Sequence, residues 1–151
     1  MKFALWLHLL GVVVWVGGMF FAYMVLRPAA VRLLEPPLRL PLWSQVLTHF
    51  FMWVWLAVLL ILVSGLFMVF SLDSFASAPS HIHIMLGVGI VMMLIFGHVF
   101  FAPYKRLRHF VALKDWPKAG RALNQIRVMV GLNLLLGLVT ITVATAGAAI
   151  L

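Results

Sequence analysis

Four stretches of this chain, Phe3–Leu26, Gln45–Phe70, His81–Ala102 and Ala122–Leu151, are long, apolar and almost free of charge. That pattern fixes the solvent in which the chain folds. A bilayer core is crossed by a helix of about 20 apolar residues, and a backbone in hydrocarbon must satisfy its own hydrogen bonds. The composition agrees: 66% hydrophobic, 9% charged and a mean hydropathy of +1.18 lie far from a soluble domain. The expected fold is therefore all-α, a four-helix transmembrane bundle forming a single domain over residues 1–151, in contact with the lipid bilayer. Little chain is left over for a soluble domain, so a ligand site lies between helices or at the membrane surface. The first stretch exceeds the apolar core of a signal peptide and reads as a retained helix. No segment contains an internal proline; Pro28, Pro36, Pro37 and Pro41 punctuate the first loop, and Pro79 and Pro103 flank the third helix.

Charge sets orientation. The formal charge is +8, but the basic residues cluster beside helix ends instead of forming a soluble face for nucleic acid, so no nucleic-acid partner is expected. The third loop carries Lys105, Arg106, Arg108, Lys114, Lys118 and Arg121, the first carries Arg27, Arg32 and Arg39, and the second has only Asp73. The positive-inside rule then places loops one and three in the cytoplasm and both termini outside, as in a multi-pass protein of a bacterial inner membrane. With no cysteine, a disulfide, a thiolate metal site and a covalently attached c-type haem are excluded.

Histidines inside apolar segments are the main functional clue, because an ionisable group at membrane depth is costly and needs a partner. The alternation of helix directions puts His8 with His83 at the outer level and His49 with His98 at the inner level. Facing pairs at two depths are what two stacked b-type haems require. His83 and His98 are about 22 Å and about 60° apart on a helix, so one helix serves both levels. His8, Gly11, Trp15, Gly18 and Ala22 share a stripe, with glycines that let a flat ring approach, and Gly87 follows His83 by one turn. The competing reading makes Gly11 and Gly18 helix-packing residues and leaves each His bonded to a neighbouring carbonyl or hydroxyl.

Arg27 and Arg127 enter the helices at the inner level and are candidates to pair with haem propionates, although most such cations snorkel to lipid phosphates. Asn133, deep in the fourth segment, needs an interhelical partner and is a candidate for lining a cofactor pocket. His81 and His109 read as loop or interface residues. Soft thioethers beside imidazoles, as in His83 with Met85, suit Cu(I), but residues two apart on a helix point in different directions. The three acidic residues, Glu35, Asp73 and Asp115, all fall in loops, so no buried carboxylate is available as a general base.

Several motifs carry a family resemblance. The run Leu7-His8-Leu9-Leu10-Gly11-Val12-Val13-Val14-Trp15-Val16-Gly17-Gly18-Met19-Phe20, the exit Leu26-Arg27-Pro28-Ala29 and the segment His98-Val99-Phe100-Phe101-Ala102-Pro103-Tyr104-Lys105-Arg106 resemble small membrane proteins of the copper resistance protein D (CopD) type. The related HemJ-type protoporphyrinogen oxidases are four-helix proteins that bind b-type haem. Arg121-Ala122-Leu123-Asn124-Gln125 is similar to their fourth-helix entrance, and His8 and His83 match their membrane histidines; Met85 and Gln125 stand where that group carries Lys and Glu. The expectation is a dihaem membrane cytochrome with bis-His ligation that exchanges electrons with a quinone or a redox protein, alone or as a homo-oligomer. The alternatives are a one-haem porphyrinogen oxidase and a copper-binding or copper-transport protein.

Overall fold

The computed structural model describes residues 1–72 and 78–150, with side chains through Gly147; Asp73 and Leu151 lie outside the described residues. Every regular element among the described residues is helical. Helix α1 (Lys2–Phe21) continues through a π-helical turn (Ala22–Leu26) into α2 (Arg27–Leu33). There follow α3 (Pro36–Phe70), α4 (Ser80–Phe101), α5 (Pro103–Ala112) and α6 (Trp116–Ile150). Four helical runs are long and apolar enough to cross a membrane: Lys2–Leu33, Pro36–Phe70, Ser80–Ala112 and Trp116–Gly147. The chain is a multi-pass membrane protein.

The helices extend further than the apolar stretches that announce them. Loops one and three are largely helical, because α2 and α5 continue the spans that precede them and α3 begins at Pro36. Pro41 therefore lies inside α3, contrary to its reading as loop punctuation. It sits early in the helix, where the lost backbone bond falls near the water-facing end and costs least. Helix α6 starts at Trp116, with Asp115 capping it: the Lys118 N–H donates to Asp115 Oδ1 at 3.2 Å, and the Lys118 ammonium lies 3.1 Å from Oδ2. Those contacts hold the Asp115 carboxyl below its usual range. The cap is thus complete above the ordinary carboxylate value and is lost as pH falls through the lowered one.

Packing pairs α1 with α3 and α4 with α6, and α5 lies against α6. Four alternating spans put both termini at one end, the terminal end, opposite the basic end that carries α2 and α5. The core is concentrated toward the basic end, where Phe51 meets Phe96 edge-on at 5.5 Å and Tyr104 at 4.9 Å, and Leu107 is fully buried. Large apolar side chains such as Leu9, Val13, Met52 and Leu94 cover the outside, as expected of helices whose surroundings are lipid.

Glycine sets the α1–α3 spacing. A Cβ on Gly18 would lie 2.2 Å from the Phe50 ring and one on Gly11 2.8 Å from Ile61, whereas one on Gly17 meets nothing within 4 Å. Gly18→Leu should thus lower stability by about 1–3 kcal/mol through overpacking, while Gly17→Leu, one residue away, leaves it unchanged. Thermal unfolding in detergent reads both, and equal effects would contradict this packing.

Candidate functional site

His8 is placed by α1 against the far end of α3, its Nδ1 3.1 Å from Ser64 Oγ. Ser64 is 3% exposed and its hydroxyl donates to the Leu60 carbonyl one turn earlier. The direction of the whole chain follows. A carbonyl only accepts, so the single hydroxyl proton of Ser64 points at Leu60, and the lone pairs of Oγ accept from His8. In that arrangement His8 donates from Nδ1, and Nε2 is the acceptor nitrogen of its ring. This is the tautomer a metal-ligating imidazole has when its other nitrogen is held by an outer partner. The ring also needs Gly65: a Cβ there would lie 3.3 Å from His8 Cε1. An interhelical bond of this kind in a membrane is worth about 0.6–2 kcal/mol, too little to hold the bundle. Its consequence is orientation.

Ser64 and Gly65 were missed by sequence reasoning. The available signal was Ser64 itself, the one hydroxyl-bearing side chain between Phe50 and Phe70, at the depth of His8 on an antiparallel neighbour.

Helix α4 brings two histidines to the same end. His81, read as a loop or interface residue, lies in the first turn of α4, and its Nδ1 is buried with no hydrogen-bond partner. Its register explains this, since His81 and Met92 fall within about 20° on the helix wheel, and Met92 is a buried residue of α4. His83 is about 180° from Met92 by the same count; it is half-buried and makes a contact of its own.

The second pair is not brought together within the chain. Phe51 of α3 and Phe96 of α4 face each other across the seam, and His49 and His98 each lie two residues from these rings, about 160° away around their helices. Both are exposed, and His49 Nδ1 donates to the Gln45 carbonyl of its own helix at 2.9 Å. Depth matches and direction does not.

The remaining candidates divide. Gly11 and Gly18 accommodate α3, Trp15 is buried edge-on to Phe96 at 6.1 Å, and Gly87 has open space around it. Asn133 has an interhelical partner, donating through Nδ2 to the Met92 carbonyl at 3.2 Å, while its Oδ1 is buried without one. It lines a partly open cavity with Trp15, Met19, Phe51 and Met129 whose volume, about 10 Å³, is that of one water and not of a porphyrin. At the basic end, Arg27 lies over the Tyr23 ring at 5.3 Å, and Arg127 is half-buried on α6. Both are at the opposite end from His8. No group of three or more His, Cys, Asp or Glu side chains converges among the described residues.

Fold and site define a small polytopic membrane protein with an oriented imidazole between its helices and its cations gathered at one end. The family model described as copper resistance protein D matches residues 44–147, more than half of the chain, and the chain belongs to that family. The match spans α3 to α6, and His8 lies before it. No curated protein and no solved structure matches the chain.

The Asn133 cavity makes its own prediction. Leu at this position removes a stranded acceptor along with one bond, so Asn133→Leu should leave the unfolding temperature unchanged or raise it, whereas Asn133→Asp should lower it. A marked loss in the Leu variant would mean that Oδ1 holds a partner.

Proposed function

We propose that the chain binds one b-type haem at the terminal end, through His8, and works as a membrane redox carrier. The observation that carries this is the Leu60–Ser64–His8 relay, in which Nδ1 is the nitrogen engaged by Ser64 and Nε2 is left to act as a ligand. A haem iron takes four nitrogens from its porphyrin and needs only one or two ligands from protein. A single oriented imidazole suits that need, whereas a metal held by side chains alone draws on three or four. When bound, haem supplies reversible one-electron chemistry; the protein contributes ligand, orientation and surroundings.

Ser64 would hold the His8 tautomer and raise the basicity of Nε2, and Gly65 leaves room for the ring beside α3. If the group takes a second protein ligand, α4 would supply it, since His81 and His83 are the histidines it brings to this end. His81 is preferred for its buried, unpartnered ring nitrogen on the face shared with Met92. His49 and His98 lend no support to a second haem within the chain, because they point away from the helix seam. A single site at one end fits electron exchange with a quinone or a redox protein at that surface better than transfer across the bilayer. By the positive-inside rule, that surface is the outer face of a bacterial inner membrane.

The one-haem geometry also favours a second reading, oxidation of a porphyrinogen. Copper held by His8 with thioethers is the reading suggested by the family's description. Purified protein should show one haem b per chain by pyridine haemochrome. His8→Ala should lose it, Ser64→Ala should weaken binding by about 10–100-fold, and His49→Ala and His98→Ala should retain it. Loss in His81→Ala with retention in His83→Ala would place the second ligand; the reverse would move it to His83. Colourless protein carrying copper would overturn the haem assignment, and appearance of fluorescent porphyrin from added porphyrinogen would select the oxidase.

A further inference from the structure

The basic end holds ten of the eleven Lys and Arg residues and two of the three acids, so the whole formal charge of +8 resides there. One of those acids, Asp115, is already paired with Lys118. Helix α4 has 22 residues, about 33 Å of rise, which is the thickness of the hydrocarbon core. Helix α5 therefore begins at the headgroup level. It turns Tyr104 and Leu107 into the protein, where both are buried, and leaves Lys105, Arg108 and His109 exposed along one stripe.

These cations are held in place. The Lys105 ammonium lies 5.3 Å from the centre of the Phe101 ring, and the Arg108 guanidinium 5.8 Å from that of Tyr104. Arg106 is spent differently, donating to Gln125 Oε1 of α6 at 2.9 Å. Toward the hydrocarbon, the stripe runs directly into apolar surface. Phe101 is 58% exposed, and its ring lies 6.3 Å from Trp55 of α3, itself 40% exposed. Helices α3 and α4 are joined here through aromatic rings, which leaves a ridged aromatic face beneath two fixed cations.

We propose that this face binds an anionic phospholipid, its phosphate between Lys105 and Arg108 and an acyl chain along Phe101 and Trp55. The lower half of the surface lies within the hydrocarbon, which a soluble acidic protein does not reach. The stripe offers no carboxylate to a zwitterionic headgroup's ammonium, so negative net charge is selected.

Native mass spectrometry of the full chain from mild detergent, given equal amounts of phosphatidylglycerol and phosphatidylcholine with identical chains, tests this. Phosphatidylglycerol should be retained about tenfold better, at roughly fivefold per cation with partial screening. Lys105→Gln with Arg108→Gln should bring the two lipids near parity while sparing the Arg106–Gln125 bond. Lys105→Arg with Arg108→Lys should keep the preference. Parity in the unaltered chain, or an undiminished preference in the Gln variant, would overturn the proposal. Displacement of the lipid by millimolar inorganic phosphate would also overturn it, by marking a free-phosphate site.

Discussion

Hydrocarbon offers a polar group neither donor nor acceptor, and the structure is organised by that constraint. Backbone groups meet it by forming helices. Side chains meet it one at a time: Thr140 donates to the Leu136 carbonyl, Asn133 to Met92, Ser64 to Leu60, and His8 to Ser64. The Thr140 and Ser64 bonds each close within one helix, and Asn133 reaches a neighbour's backbone while its Oδ1 stays unpartnered. His8 reaches a side chain on another helix, and its bond to Ser64 engages only one of its two ring nitrogens. Under the proposed function, the other nitrogen is the ligand position.

The two ends of the bundle are built for different work. The buried residues of α4, Met92, Phe96 and Val99, all fall in its second half, and its first half has none. Tight aromatic packing thus fixes the basic end, where Phe51, Phe96, Phe100 and Tyr104 interlock and the Tyr104 hydroxyl donates to Thr48 Oγ1 at 2.8 Å. At the terminal end, where His8 lies, α4 contributes no buried residue.

The spans were legible in the sequence because apolar length is nearly sufficient to specify a membrane helix, and the CopD-type resemblance agreed with the family match. Depth was legible too, since four alternating helices fix which residues share a level. Direction was not. In a soluble helix the polar face says which way is out, but these helices are apolar all round, so the periodicity around His49, His98 and His83 did not say which side was buried. Depth alone made partners of His49 and His98, which turn outward. Ser64 escaped notice because a lone serine in an apolar run resembles packing, and its role exists only once α1 lies against α3.

The central claim is the protonation state of one ring. Solid-state NMR of the chain in lipid, with nitrogen-15 in its histidines and His8 assigned by comparison with the His8→Ala variant, reads it directly. The structure predicts a protonated Nδ1 and a bare Nε2 for His8 in the cofactor-free protein, with a shift confined to Nε2 on adding haem. A proton on Nε2, or an imidazolium at neutral pH, would mean that the Ser64 relay does not set this histidine and that the ligand position does not exist.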